Sequence, residues 1–297
     1  MKIIGIYTRN GLTDYPEDLL QLIQHIRQSG YKPALHNHLA DQIRKKAGEA
    51  ILEGVLLFTG YKDIPREMKL LVSYGGDGTM LRAAMLVRDS GIPVLGINAG
   101  RLGFLAHVPR HDGIQALNRF LAGQYETEAR TLLTVDTFPQ KNKVAGLNFA
   151  LNEVTVTRKN TTSMIQVEAY LNDEFLSHYW ADGLIVSTPT GSTGYSLSCG
   201  GPILMPGSGN FVLTAIAPHN LTVRPLVIPD DSEVKLIPYG REKEFLLSMD
   251  SRVYSLPFGT EITVRKAGFK INLVRIEPYT FIHTLRQKLF WGFDNRN

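Results

Sequence analysis

A short turn rich in glycine has the residue types of a phosphate site and reads Gly75-Gly76-Asp77-Gly78-Thr79. The apolar residues 70–72 predict a buried strand before the turn, and residues 80–89 carry apolar side chains at helical spacing after it. Glycines let a backbone approach a ligand closely, and the first N–H groups of a helix favour an anion. The turn therefore predicts phosphate binding.

Asp77 is the unusual member of this turn, because a carboxylate beside phosphates is electrostatically costly. In phosphoryl transfer an aspartate binds a metal ion or takes a proton from the attacking hydroxyl. The alternative is structural, with Asp77 capping backbone N–H groups and Thr79 acting as the N-cap of the helix. The residue types leave both interpretations open.

A second glycine-rich stretch follows a predicted strand over residues 92–97 and reads Gly96-Ile97-Asn98-Ala99-Gly100-Arg101-Leu102-Gly103-Phe104-Leu105. Its glycine spacing does not match the G-x-G-x-x-G dinucleotide fingerprint, and no strand-loop-helix unit with a downstream acidic residue accompanies it. This disfavours an ordinary Rossmann dinucleotide site. The residues alone predict a strand end followed by a loop.

An amide and a carboxylate stand side by side at Asn152 and Glu153, within a strand-like stretch. Adjacent strand residues point to opposite faces, so at most one of the two faces a ligand unless a bulge or a strand end re-aims them. A ligand-binding pair and an exposed strand end with solvated side chains both stay open from the residues alone.

The strongest signal is a loop dense in hydroxyl groups and glycines, which follows a predicted buried strand over residues 183–187. The loop reads Thr188-Pro189-Thr190-Gly191-Ser192-Thr193-Gly194-Tyr195-Ser196-Leu197-Ser198, and Asp182 precedes the strand. Small residues admit a ligand, hydroxyl groups donate to phosphate or ribose, and the ring of Tyr195 can stack on a base. The loop lacks the lysine of a P-loop and the spacing of a nucleophile elbow, which disfavours a P-loop ATPase and a serine hydrolase.

Two predicted domains of different fold class carry these motifs. In the first third of the chain predicted strands and helices alternate, beginning with a strand over residues 3–7. This alternation implies an α/β domain with a parallel sheet covered on both faces. Ligands of such sheets bind beyond the carboxyl ends of the strands, where the Asp77 turn falls. From about residue 125 short strand-like segments predict an all-β, sandwich-like domain, with strands that include residues 165–171, 183–187, 261–265 and 271–276. Residues 281–290 predict a helix that returns to the first domain. The predicted pieces are residues 1–124, 125–277 and 278–297.

Composition narrows the class of protein. The 297 residues suggest about two domains, and a hydrophobic share of 43% is normal for a globular protein. The formal net charge of +4 suits phosphate-bearing ligands and falls short of a nucleic-acid footprint. The one cysteine, Cys199, excludes a disulfide framework within the chain and fits a reducing cytosol. No signal peptide or membrane span is predicted, so we expect a cytoplasmic protein with neither nucleic acid nor membrane as a partner.

Taken in order along the chain, these motifs resemble those of the NAD kinases. The Gly-Gly-Asp-Gly-Thr turn alone is shared with diacylglycerol and sphingosine kinases and, more distantly, with phosphofructokinases. The Gly-Ile-Asn loop, the Asn-Glu pair and the threonine-rich loop are similar to those of bacterial-type NAD kinases, and the resemblance covers nearly the whole chain. It implies transfer of the γ-phosphoryl group of ATP, with a divalent metal such as Mg²⁺, to the 2′-hydroxyl of the adenosine ribose of NAD, giving NADP. It also implies a homodimer or homotetramer.

The resemblance implies roles for individual residues. Asp77 would be the general base that orients and deprotonates the 2′-hydroxyl, with Gly78 and Arg82 beside it at the phosphates. Asn152 and Glu153 would hold ribose and base. The nucleotide-binding residues implied as a set are Gly75, Gly76, Asp77, Gly78, Thr79, Arg82, Asn98, Asn152, Glu153, Asp182, Thr190, Thr193, Gly194, Tyr195, Ser196, Leu197, Ser198 and Ala217. No side chain is predicted to be a metal ligand.

Two positions depart from the bacterial pattern. Trp180 stands two residues before Asp182, where a basic residue is common, and Asp250-Ser251-Arg252 stands where the family often shows Asp-Gly-Gln. A tryptophan supplies no charge, and Arg252 could replace a lost charge or point to solvent. The preferences for NAD over NADH and for ATP over inorganic polyphosphate therefore stay open.

Two other classes of protein account for part of the pattern. A lipid kinase would share the Asp77 turn but would leave the Asn-Glu pair and the threonine-rich loop unexplained. A dinucleotide-binding sensor would keep the pocket without catalysis. Retention of Asp77 argues against a sensor, because binding alone gains little from a carboxylate near phosphates.

Overall fold

The computed structural model describes residues 2–9, 14, 16–139, 144, 146–160 and 163–290. The chain forms two compact units, Met1–Ala129 with Ile271–Asn297, and Arg130–Lys270. The first unit is discontinuous because the chain leaves it, forms the second unit and returns within one long strand. The domain boundaries expected after residues 124 and 277 stay a prediction.

Strands are the commoner element in the described chain. They are β1 (Ile3–Tyr7), β2 (Lys32–His36), β3 (Leu56–Phe58), β4 (Met68–Tyr74), β5 (Val94–Asn98), β6 (Val108–Pro109), β7 (Glu126–Phe138), β8 (Phe149–Ala150), β9 (Glu153–Arg158), β10 (Ile165–Leu171), β11 (Glu174–Ala181), β12 (Gly183–Ser187), β13 (Asn210–Ile216), β14 (Leu226–Pro229), β15 (Val234–Tyr239), β16 (Glu244–Met249), β17 (Arg252–Pro257) and β18 (Glu261–Arg275). The α-helices are α1 (Pro16–Gln28), α2 (Asn37–Ala47), α3 (Asp77–Val87), α4 (Gly113–Leu121), α5 (Tyr195–Ser198) and α6 (Phe281–Leu289). In the described ranges none of these helices combines the length and the apolar character needed to cross a membrane.

The first unit contains a parallel sheet with the strand order β3-β2-β1-β4-β5. The chain runs outward from β1 through β2 and β3, and then adds β4 on the other side of β1. The strand order therefore reverses between β1 and β4, and sheets of this kind bind ligands beyond the carboxyl ends of their strands at that point. Gly75 directly follows β4, so the Asp77 turn lies at the switch point.

Burial explains why this unit forms layers. All five residues of β1 and all five of β5 are buried, as expected for strands covered on both faces. Helix α1 buries one face, made of Leu19, Leu22, Ile23 and Ile26, whose spacing is that of an amphipathic helix. The predicted α/β fold of the N-terminal part is confirmed.

The second unit is built from antiparallel strands. One sheet has the order β14-β13-β12-β9-β16-β17, and another contains β11-β10-β15 with the first part of β18. Val156 and Leu184 of the first sheet share one buried core with Val167 and Leu236 of the second. Two sheets with a common core form a sandwich, which confirms the all-β prediction.

Several elements differ from the sequence prediction. Helix α3 begins at Asp77 instead of near Met80, because Gly76 is its N-cap. Residues 261–265 and 271–276, predicted as two strands, belong to the single strand β18 apart from Ile276, since polar exposed residues interrupt its apolar pattern without interrupting its extended backbone. The sequence analysis missed helix α4 and the strands β6, β8, β11, β14 and β17.

Candidate active site

The three glycines of the Asp77 turn are there for different structural reasons. Gly75 has a φ of +153°, and a Cβ atom there would lie 2.3 Å from Thr79 Oγ1, so the turn itself requires glycine. A Cβ atom on Gly76 or Gly78 would meet no atom of the described residues within 4 Å. The backbone at the N-terminal end of α3 is therefore open to a ligand, and helix N-termini favour anions. Thr79 is buried and does not cap the helix.

The carboxylate of Asp77 joins the two glycine-rich elements that the sequence singled out. Its Oδ2 accepts the N–H of Phe104 at 2.9 Å, and its Oδ1 accepts those of Leu105 at 2.9 Å and Ala106 at 3.0 Å. A Cβ atom on Gly103 would lie 2.0 Å from Asp77 Oδ1. The glycine at 103 is therefore what lets the loop approach the carboxylate so closely.

This geometry combines the two interpretations of Asp77. The side chain does cap backbone N–H groups, but those of a distant loop and not those of its own turn. A carboxylate has about four lone-pair sites, and three N–H donors leave about one, on Oδ2. The donors hold the side chain in one orientation while that site stays available to a hydroxyl group.

Arg82 and Asn98, both implied by the resemblance, have protein partners near the same strand ends. Arg82 hydrogen-bonds Tyr7, the last residue of β1. Burial raises the pKa of Tyr7, and the charge and hydrogen bond of Arg82 oppose this rise. The amide of Asn98 donates to the carbonyl of Arg101 and accepts the N–H of Gly100 at 2.7 Å. Asn98 thus shapes the loop that carries the donors to Asp77.

In the second unit, Asn152 and Glu153 lie at the start of β9, where the chain enters the strand. A Cβ atom on Gly194 would lie 3.3 Å from Glu153 Oε2 and 3.8 Å from Asn152 Nδ2. Both side chains therefore approach the same glycine of the threonine-rich loop. The opposite orientation expected within a regular strand does not apply, because the pair stands at a strand end.

The Asn-Glu pair has buried oxygen atoms that lack a protein partner. Asn152 Oδ1 and Glu153 Oε2 are buried and accept no hydrogen bond from the described residues. Burial, with a further contribution from the nearby Asp250, raises the pKa of Glu153 to about 8. Buried polar atoms are normally hydrogen-bonded, so atoms of this kind suit a ligand that supplies the missing partner.

Hydroxyl groups in the threonine-rich loop divide into structural and accessible ones. Thr188 donates to the carbonyl of Leu151 at 2.6 Å, Ser192 donates to that of Pro189 at 2.7 Å, and Ser196 pairs with Thr214 at 2.9 Å. These buried hydroxyl groups hold the loop in place. The accessible side chains are those of Thr193, Tyr195, Leu197 and Ser198, of which Tyr195 and Ser198 are the most exposed.

The loop also depends on two close contacts. A Cβ atom on Gly191 would lie 2.2 Å from the carbonyl oxygen of Asn152, so the loop backbone packs directly on the Asn-Glu segment. Thr190 accepts a hydrogen bond of 3.3 Å from Arg130, a buried arginine that the sequence analysis missed. No local pattern marks Arg130, because it lies in β7, 60 residues before the loop.

Asp182 has a basic partner that the sequence did not reveal. Its carboxylate lies 2.8 Å from Arg158 Nη2, and both side chains are partly exposed. Arg158 ends β9, which pairs with β12 in the register Thr157↔Gly183. Trp180 is 54% exposed. The charge that is absent at position 180 is thus present beside Asp182 from a neighbouring strand. Ala217 follows β13 with a φ of +43°.

The structure answers the question left open for Arg252. This side chain does not point to solvent, since only 14% of it is exposed and its guanidinium donates to the carbonyls of Leu147 and Phe149. No group of three or more His, Cys, Asp or Glu side chains in the described ranges could hold a metal ion.

Comparison with known proteins places this geometry in a family. Sequence profiles of the ATP-NAD kinase N-terminal and C-terminal domains match residues 31–125 and 151–276. The chain is 55% identical over 240 residues to an NAD kinase of Flavobacterium psychrophilum, covering 81% of this chain and 82% of that protein. It is 48% identical over 294 residues to an NAD kinase of Christiangramia forsetii, covering 99% of each.

Solved structures show the same fold. Yeast NADH kinase complexed with NADH matches with a TM-score of 0.84 at 24% identity, over 100% of this chain and 89% of that one. An NAD kinase from Archaeoglobus fulgidus in complex with ATP matches with a TM-score of 0.70 at 24% identity, over 98% of each chain. The fold, the motifs and the two domain profiles agree, and the chain belongs to the NAD kinase family.

Proposed function

We propose that this chain transfers the γ-phosphoryl group of ATP to the 2′-hydroxyl of the adenosine ribose of NAD, giving NADP and ADP. Membership of the NAD kinase family supports the substrates. The observation that carries the chemistry is the carboxylate of Asp77, which is held by three N–H groups beside the open N-terminal end of α3.

In this proposal Asp77 is the general base. The donors from residues 104–106 fix the carboxylate, and the remaining lone-pair site on Oδ2 accepts the proton of the 2′-hydroxyl as the oxygen attacks phosphorus. A fixed base needs little reorganisation when the reaction occurs, and this preorganisation lowers the activation free energy. Asp77 donates the proton to solvent after ADP and NADP leave.

Backbone groups at the start of α3 would bind the phosphates. The first N–H groups of a helix have no intrahelical partner, and Gly76 and Gly78 leave the space in front of them open. Arg82 adds a positive charge on the same helix. A divalent metal such as Mg²⁺, bound mainly by phosphate oxygens, would neutralise charge on the transferred group.

The second unit supplies groups that suit the dinucleotide. Asn152 Oδ1 and Glu153 Oε2 are the buried atoms without partners among the described residues, and they would hold ribose and base. Tyr195 is 44% exposed and has a ring available for stacking. Asp182 and the accessible part of the threonine-rich loop complete the proposed set of contacts, whereas Ser196 and Thr190 would act by shaping the loop.

We further propose a homodimer or homotetramer in the reducing cytoplasm. Leu221 is 89% exposed, and it lies two residues after His219, whose N–H donates to the carbonyl of the exposed Trp180 at 2.8 Å. Large apolar side chains that are exposed together mark interaction surfaces, and this hydrogen bond brings the segment of Leu221 to that of Trp180. Light scattering should give the mass of at least a dimer, and Leu221→Asp should lower it; an unchanged mass would count against this surface.

The decisive experiment measures NADP formation from NAD, ATP and Mg²⁺, with NADH and polyphosphate as alternative substrates. Asp77→Asn should lower kcat by about 1,000-fold, since the amide cannot accept the proton. Asp63→Asn is the matched control, because Asp63 also accepts backbone N–H groups, from Thr59 at 2.9 Å and Gly60 at 2.8 Å. It should retain kcat within about threefold.

Each outcome has a distinct meaning. A wild-type protein that binds NAD but forms no NADP or NADPH would favour a dinucleotide sensor. Equal losses in the two variants would show that Asp77 matters as a cap and not as a base. A protein that does not bind NAD at all would overturn the proposed substrate, and a lipid hydroxyl would be the next acceptor to test.

A further inference from the structure

The hairpin between β16 and β17 contacts the Asn-Glu segment through its turn. Its turn begins with Asp250, whose carboxylate accepts the N–H groups of Leu151 at 3.0 Å, Asn152 at 2.8 Å and Glu153 at 3.4 Å. The N–H of Asp250 donates in return to the carbonyl of Glu153 at 3.0 Å. Asp250 itself adopts a left-handed φ of +51°, which aspartate tolerates better than most residues.

Arg252, the next strand residue of the hairpin, holds the chain just before this segment. Its guanidinium donates to the carbonyls of Leu147 and Phe149 and lies over the ring of Phe149, with the guanidinium carbon 5.4 Å from the ring centre. It also lies 3.8 Å from the carboxylate of Asp250. Only 4% of the Asp250 side chain and 14% of the Arg252 side chain are exposed, so neither group is a solvated surface charge.

Three consecutive N–H groups that converge on one carboxylate are not part of a strand ladder. They mark the point where the backbone departs from strand geometry, and this departure is what lets Asn152 and Glu153 approach the same glycine. A carboxylate with these donors and a guanidinium nearby satisfies the requirements of a buried anion. The Asp250–Arg252 pair therefore does more than close a hairpin.

We propose that Asp250 and Arg252 form a clamp that positions Asn152 and Glu153 for the dinucleotide. Both are positioning residues, because they act through the backbone of residues 147–153 and not on the substrate. The inference rests on the proposed function, in which Asn152 and Glu153 hold ribose and base. It also accounts for the Ser251-Arg252 departure, since arginine at position 252 reaches two carbonyls at once.

The test is the KM for NAD against the KM for ATP in the full-length enzyme. Asp250→Asn keeps the shape of the side chain but turns an NH₂ group toward N–H donors. It should raise the KM for NAD about tenfold or more and leave the KM for ATP within about twofold. Arg252→Met, which keeps length without donors, should also raise the KM for NAD, by a smaller factor, and leave the KM for ATP within about twofold.

Asn172→Ala is the matched control for a merely structural effect. Asn172 is also a turn residue with positive φ, +50°, and its side chain accepts the N–H of Glu233 at 2.8 Å in another hairpin of the same unit. Asn172→Ala should lower the melting temperature, and it should not raise the KM for NAD relative to the KM for ATP. An Asp250→Asn enzyme that keeps its KM for NAD, or changes both constants as Asn172→Ala does, overturns the clamp.

If Asp250→Asn does not fold, Arg252→Met decides by the same comparison. Failure of the clamp is separate from failure of the proposed function. A wild-type protein without turnover counts against the function, whereas an active wild type with unchanged variants counts against the clamp alone.

Discussion

Asp77 in the first unit and Glu153 in the second are both carboxyl groups beside a glycine-rich loop, yet their surroundings differ. The two oxygens of Asp77 accept three backbone N–H groups. Glu153 Oε2 is buried and has no hydrogen-bond partner in the described part of the chain. Burial and the neighbouring Asp250 raise the pKa of Glu153 to about 8.

The difference between the two carboxyl groups matches two different roles, general base catalysis and ligand binding. A general base must be held in one orientation, and backbone donors hold the carboxylate of Asp77 without adding a competing titratable group. A side chain that contacts a sugar or a base can be neutral, and leaving its polar atom without a protein partner makes the site depend on the ligand. Burial raises the pKa of Asp250 as well, but the N–H groups of residues 151–153 and the charge of Arg252 oppose that rise, whereas burial and the charge of Asp250 both raise the pKa of Glu153.

The largest expected effect is on the stability of the second unit, where the threonine-rich loop packs its backbone directly on the Asn-Glu segment. Gly191→Ala would place a Cβ atom 2.2 Å from the carbonyl oxygen of Asn152, so the loop or the Asn-Glu segment must move. We expect a loss of about 3 kcal/mol in the free energy of unfolding, measured by urea denaturation. Gly268→Ala, where a Cβ atom meets no described atom within 4 Å, is the control, and equal losses would refute the packing argument.

In the first region the expected damage is to catalysis. Gly103→Ala would place a Cβ atom 2.0 Å from Asp77 Oδ1 and force the carboxylate away from its donors. Because a base misplaced by about 1 Å can cost 100-fold, kcat should fall by about that factor. Gly100→Ala, in the same loop but in open space, should retain kcat in the same steady-state assay. Similar kcat values for the two variants would argue against a fixed base.

The raised pKa of Glu153 predicts how the free energy of unfolding changes with pH. Its pKa is raised in the folded state, so the folded protein binds the proton more tightly than the unfolded chain, and stability falls as pH rises toward about 8. Glu153→Gln cannot ionise, so its free energy of unfolding should fall less than that of the wild type between pH 5 and pH 8.5, by about 2 kcal/mol. The exposed Glu174→Gln serves as control. Parallel pH curves for wild type and Glu153→Gln would contradict the assignment.

The smallest expected effect concerns the ion pair of Asp182 and Arg158. The two groups lie 2.8 Å apart at partly exposed positions, where such pairs contribute about 0.5–1 kcal/mol. A double-mutant cycle with Asp182→Asn and Arg158→Met should give a coupling energy in this range by urea denaturation. A coupling energy of zero would mean that the two groups do not stabilise each other in the folded protein.

The sequence predicted some secondary-structure elements accurately and missed others. Strands β1, β10 and β12 were predicted with their observed bounds, because apolar alternation or a short apolar run marks a buried strand directly. Helix α4 was missed although it buries Ala116, Leu117 and Phe120, and β11 was missed because its exposed edge mixes apolar and polar residues. Local patterns fail where burial depends on distant neighbours.

Individual site residues show the same limit. The turn of Gly75 to Thr79 was recognisable because its function lies in consecutive residues. Arg130, Arg158 and Gly103 act on residues 60, 24 and 26 positions away, and none belongs to a motif that spacing alone interprets. The protein partners of Arg252 and Asn98 could not be predicted either, because they depend on which backbone groups the fold brings within reach.

What the sequence determined by itself was the family, the two kinds of domain and the identity of the motifs, because each of these is written in contiguous residues or in the period of apolar side chains. Tertiary structure alone decided that the Gly103 loop carries three N–H donors to Asp77 and that the β16–β17 hairpin contacts the Asn-Glu pair. Contacts of this kind join residues about 30 to 100 positions apart. They depend on strand order and register, which no local pattern encodes.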